Sequence, residues 1–115
     1  MALGVQAALQ DAGYTTALAS NGVVALKLLA SEETFDALVT DIRLPGLITG
    51  WDIAIAARER YPEVPVVYVS GDSAADWTHK GVPGSRMFSN PVPEETIVKA
   101  VEEMVPRGDP QELPA

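Results

Sequence analysis

The chain has 115 residues, a formal net charge of −8, one histidine and no cysteine. One domain with an ordinary core is the expectation at this length, and the missing cysteine excludes a disulfide framework, a thiolate metal site and a cysteine nucleophile. The acidic balance and the scattered Lys and Arg speak against a nucleic-acid surface, which needs clustered cations on phosphates. No apolar run approaches the roughly 18 residues of a membrane span. The N-terminus has no basic region ahead of an apolar stretch, so a cytoplasmic setting is expected.

In chain order, Met1–Ala12 predicts a helix, with Val5, Ala8, Leu9 and Ala12 at helical spacing and Gly13 as its stop. Tyr14–Ala19 is β-branched and aromatic enough to predict a short strand. Ser20-Asn21-Gly22 starts a second helix, with Ala25, Leu26 and Leu29 on one face. Ala37–Thr40 reads as a strand buried on both faces, followed at once by Asp41. Leu44-Pro45-Gly46 breaks into a loop. Thr49-Gly50-Trp51-Asp52 resembles a capping box for a helix running to about Arg60.

Val64–Ser70 is the strongest strand signal, ended by Gly71-Asp72. Ser73–Thr78 predicts a short helix, Lys80–Ser85 a Gly/Pro loop and Arg86–Ser89 a last strand. Pro93 suits the first helical turn, and Glu94 and Glu95 suit the positive end of the helix dipole. Ile97, Val98, Val101, Met104 and Val105 form the apolar stripe of that helix. Pro106–Ala115 is Pro-rich and polar, and reads as a disordered tail after a domain over 1–105. His79 reads as a solvated loop residue, Asp72 and Asp76 as a solvated face, and Trp51 and Trp77 as helix residues on partly exposed edges.

Alternating strands and helices imply a parallel sheet with helices on both faces. The working site of such a sheet lies at the carboxyl ends of its strands. That rule selects Asp41, Ser70 and Asn90.

LVTDIRLPG then resembles the phosphoacceptor segment of the response-regulator receiver domain: an apolar strand, Asp41, Leu44, Pro45 and then Gly50. The interval of nine residues from Asp41 to Gly50 is like that of a group of stand-alone, chemotaxis-regulator-like bacterial receivers. GYTTALASNGVVALKLL, VPVVYVSG and VPGSRMFSNP resemble, in order, three further segments of the family, so the likeness spans Met1 to Val105. It implies a flavodoxin-like, doubly wound α/β fold and a signalling switch in a two-component phosphorelay, not an enzyme. Asp41 would accept a phosphoryl group from a histidine kinase or phosphotransfer protein, and a downstream protein target would read the result. The resemblance further implies Mg²⁺ held by Asp41, by the Arg43 backbone carbonyl and by an acidic pair after the first strand. It puts Ser70 and Met87 at switch positions and Asn90 at the phosphoryl-binding Lys position.

Three departures stand out. The first strand and its acidic pair have no counterpart, so the sequence reads as an N-terminally truncated receiver and Mg²⁺ is expected to bind weakly or not at all. Asn90 carries no charge and cannot make the ion pair of a Lys. Met87 fills space where an aromatic switch residue is usual. A degenerate receiver that binds partners without phosphorylation is therefore a second reading. A small α/β phosphatase using Asp41 is a third and weaker one, since Arg43 stands where a second carboxylate is wanted.

Overall fold

A computed structural model describes residues 2–72 and 74–105. Helix α1 (Ala2–Asp11) is followed by α2 (Gly22–Ala30), β1 (Leu38–Asp41), α3 (Gly50–Arg60) and β2 (Val66–Ser70). A 3₁₀ turn at Ala74–Asp76, α4 (Trp77–Lys80), β3 (Arg86–Ser89) and α5 (Glu94–Met104) complete the order. The expected tail, 106–115, lies outside the described residues. Among the described residues no helix is long and apolar enough to cross a membrane.

The strands form a parallel sheet in the order β1-β2-β3, with Asp41 beside Val69 and Ser70 beside Ser89. Every residue of β2 is buried. Period-two alternation sends its side chains to two separate cores. Val66 and Tyr68 pack with Ile42, Trp51, Ala54 and Ala57 under α3. Val67 and Val69 pack with Val5, Ile97, Ala100 and Val101 under α1 and α5. A continuous apolar run such as VVYVS is what a strand covered on both faces requires.

Local signals set most of the boundaries. Asn21 caps α2, its side chain accepting from the Val24 N–H at 2.9 Å. Thr49 and Asp52 form the expected capping box, the Thr49 N–H donating to the Asp52 carboxylate at 2.9 Å and the Asp52 N–H to Thr49 Oγ1 at 3.3 Å. Pro93 precedes α5 as its N-cap instead of lying inside the first turn, because α5 starts one residue later than the composition suggests.

Three expectations need correction. Tyr14–Ala19 is not a strand: it has no assigned secondary structure and is not one of the strands of the sheet among the described residues, and β-propensity without a ladder partner does not make a strand. Trp51 is not at an edge. It is only 7% exposed and its ring lies 4.8 Å from that of Tyr68 at 54°, a tilted aromatic contact at the centre of one core. His79 sits on α4, not in a loop, although it is exposed as expected.

Candidate functional site

The three residues singled out by the strand-end rule fall on one rim. Asp41 is the last residue of β1 and Ser70 the last of β2. Asn90 directly follows β3, and its N–H donates to the Ser70 carbonyl at 2.8 Å, so the β2–β3 ladder carries on past Ser89 and sets Asn90 beside Ser70. The Asn90-Pro91 peptide is cis. Ser70 is buried, Asp41 half-buried and Asn90 exposed.

The loop after Asp41 is closed by backbone contacts. The Gly50 N–H donates to the Ile42 carbonyl at 2.8 Å. A Cβ at Gly50 would overlap the carbonyl oxygen of Asp41, so only glycine lets α3 begin this close to the strand end. Gly46 takes the left-handed turn inside the loop, with φ of +92°. The capping box then fixes α3 immediately beyond, which anchors the far side of the loop.

Burial raises the pKa of the Asp41 carboxyl above the ordinary aspartate range, because desolvation opposes its charge. Beside it, Arg43 Nε donates to the Asp72 carboxylate at 2.9 Å. This pair crosses from the loop after β1 to the loop after β2. The Asp72 N–H also donates to Ser70 Oγ at 3.2 Å, so one short turn joins the ion pair to the hydroxyl on the rim. Sequence reading treated Asp72 as a solvated face and gave Arg43 a role only through its carbonyl. The available signal is register: Asp41 beside Val69 puts the residues just past each strand next to each other.

Met87 is half-buried on β3, opposite Tyr68, and packs with Trp77 against the core under α3. It therefore lies below the rim, not on it. Among the described residues no three of His, Cys, Asp and Glu come together as cation ligands. Asp41 with the Arg43 carbonyl is a thin donor set for Mg²⁺, which demands near-octahedral oxygen coordination. These residues alone do not make up a divalent-cation site.

A family model described as the response regulator receiver domain matches residues 1–102. A chemotaxis protein, CheY, of Pseudomonas aeruginosa is 44% identical over 71 residues, which is 59% of this chain and 56% of that protein. The chain thus spans about half the length of that curated relative. The crystal structure of a response regulator receiver protein from Sinorhizobium medicae is 36% identical, covers 89% of this chain and 82% of that one, and superposes with a TM-score of 0.86. A receiver domain of a sensor histidine kinase from Pseudomonas aeruginosa, solved with a magnesium ion in its active-site cleft, is 19% identical. It covers 88% of this chain and 84% of that one at a TM-score of 0.72, a likeness of fold alone.

Proposed function

Because the chain belongs to the response regulator receiver domain family, we propose that Asp41 is its phosphoacceptor, loaded by a histidine kinase or phosphotransfer protein. The protein then signals through a downstream protein target. The observation that carries this reading is the placement of Asp41. It is half-buried on the carboxyl rim, at the head of a loop that Gly50 closes, with Ser70 and Asn90 tied together nearby.

Phosphoryl transfer asks a protein chiefly for positioning and charge stabilisation. A carboxylate oxygen of Asp41 would form the new P–O bond as the bond from phosphorus to the donor breaks. The Ser70 hydroxyl and the Asn90 amide can donate hydrogen bonds to phosphoryl oxygens. Ser70 and Met87 serve as the switch pair, Met87 by a change of packing beneath the rim. Asn90 supplies no cation, so the phosphorylated state is held less firmly than a lysine would hold it. Asp41 and the Arg43 carbonyl would hold Mg²⁺ weakly or not at all, and no step here is routed through the ion.

The test is intact-mass measurement after incubation with acetyl phosphate, with and without Mg²⁺. A gain of one phosphoryl group, lost in Asp41→Ala, is the expected result. No gain in the folded protein overturns it. Uptake that rises steeply and saturably with Mg²⁺ overturns the weak-binding part. The second reading, a phosphorylation-independent interaction module, is favoured by the uncharged Asn90 and by the lack of a three-ligand cluster among the described residues. It predicts no mass gain in a chain whose circular dichroism shows the native fold.

A further inference from the structure

The loops that leave the carboxyl ends of β1, β2 and β3 are residues 42–49, 71–73 and 90–93. In sequence they hold just two charged residues, Arg43 and Asp72, and those two are paired with each other. The other arginines of the described structure serve elsewhere. Arg58 and Arg60 lie in the last turn of α3, at the opposite end of the sheet, where they donate to the carbonyls of Val64 and Ser31. Arg86 opens β3 and pairs with Glu103. Arg43 is thus the cation that the chain places on the loops of the rim.

Its bridge uses only Nε. Nη1 and Nη2 have no hydrogen-bond partner among the described residues, and the side chain is exposed. Asp72 joins this cation to the hydroxyl on the rim: its carboxylate takes Arg43 Nε, and its N–H donates to Ser70 Oγ at 3.2 Å. The guanidinium and the Ser70 hydroxyl are therefore held by one residue. Arg43 also stands two residues past Asp41 in the chain. We propose that Arg43 is a phosphoryl-binding residue: its guanidinium exchanges the Asp72 carboxylate for the oxygens of the phosphoryl group arriving at Asp41, and supplies there the positive charge that Asn90 lacks. This rests on the reading of Asp41 as the phosphoacceptor.

A carboxylate attacking an anionic phosphoryl group meets like charge, and stabilising that charge is most of what phosphoryl transfer asks of a protein. A planar guanidinium matches phosphoryl oxygens with parallel N–H donors. In transfer from acetyl phosphate, an Asp41 carboxylate oxygen bonds to phosphorus, the bond from phosphorus to acetate breaks, and acetate leaves with the electron pair. Arg43 gives up no proton and takes none. Its bridge to Asp72 is exposed, so it opposes the exchange only weakly. A phosphoryl dianion attracts the guanidinium more strongly than a single carboxylate does. The exchange reaches Ser70 as well, because the residue that loses the guanidinium is the one whose N–H holds the Ser70 hydroxyl.

The experiment follows phosphoryl uptake from acetyl phosphate by intact mass over time, in the full chain and in variants whose circular dichroism shows the native fold. Arg43→Gln should slow uptake about tenfold. Arg43→Lys, which keeps the charge but not the planar fork, should lose less, about threefold. Asp72→Asn should speed uptake about threefold, because it releases Arg43 to the incoming group. Glu102→Gln makes the same change of net charge at an exposed position of α5 and should leave the rate unchanged. A bridge that merely held two loops together would make Arg43→Gln and Asp72→Asn behave alike. Parallel shifts in those two, an unchanged rate in Arg43→Gln, or a Glu102→Gln rate that follows Asp72→Asn would each overturn the role of Arg43 and leave Asp41 as acceptor. No uptake by the unsubstituted chain would overturn the reading of Asp41 and the role of Arg43 with it.

Discussion

The two flanks of β2 and the outer flank of β1 are built from similar residues and meet different fates. β2 has a ladder on each side and apolar cover on each face, so all five of its residues are buried. Among the described residues β1 has one ladder, and of its four residues only Thr40 is buried. Both segments are β-branched and apolar. Neighbours, not side-chain type, decide which becomes core: a strand is stabilised by what packs beside and above it.

The largest expected effect lies at the centre. Tyr68 is fully buried, its ring meets Trp51, and its hydroxyl accepts from the Val82 N–H at 3.1 Å. Tyr68→Ala should cost about 3–5 kcal/mol in urea denaturation, a large share of the roughly 5–15 kcal/mol of a typical domain.

A matched pair of smaller substitutions sharpens the contrast. Val67→Ala on β2, at 1% exposure, should cost about 2 kcal/mol, while Val39→Ala on half-buried β1 should cost under about 1 kcal/mol. Equal costs would mean that the outer flank of β1 is covered in solution.

The rim gives a pH-dependent effect. Burial raises the Asp41 pKa above its unfolded value, so the native state binds this proton more readily than the unfolded chain does. Stability from this group is full below the unfolded pKa and is lost as pH rises through the raised native one. Asp41→Asn should therefore raise the melting temperature at neutral pH. The gain should disappear below about pH 4, near the unfolded aspartate value. A gain of the same size at acid pH would assign it to something other than ionisation.

The smallest effect belongs to the ion pair across the rim. Arg43 and Asp72 are 77% and 57% exposed at their side chains, and water screens such a pair to a marginal contribution. Arg43→Ala should leave the denaturation midpoint nearly unchanged, and added salt should erase what difference there is.

Much of the architecture was legible because it rests on local chemistry. The capping box at Thr49 and Asp52, the buried run VVYVS and the order of strands and helices from α2 onward each follow from residue spacing. The rim residues were legible at one remove, since a parallel sheet puts all its strand ends on one side. Trp51 was not. The first turn of a helix exposes or buries an aromatic according to what lies beneath it, and Tyr68, seventeen residues away, is a tertiary partner. The Arg43–Asp72 bridge spans 29 residues and depends on the β1–β2 register, which no short window of sequence contains.

The sequence by itself determined the helix caps, the apolar run that became the central strand, the glycine that lets α3 begin against Asp41 and the likeness that set the family. Only the tertiary structure decided that Tyr14–Ala19 would stay outside the sheet and that β1, among the described residues, would pair with β2 alone. The physical reason is that strand propensity is a property of a segment, whereas a ladder is a property of two. The backbone groups of one strand are satisfied only by another that the fold brings alongside.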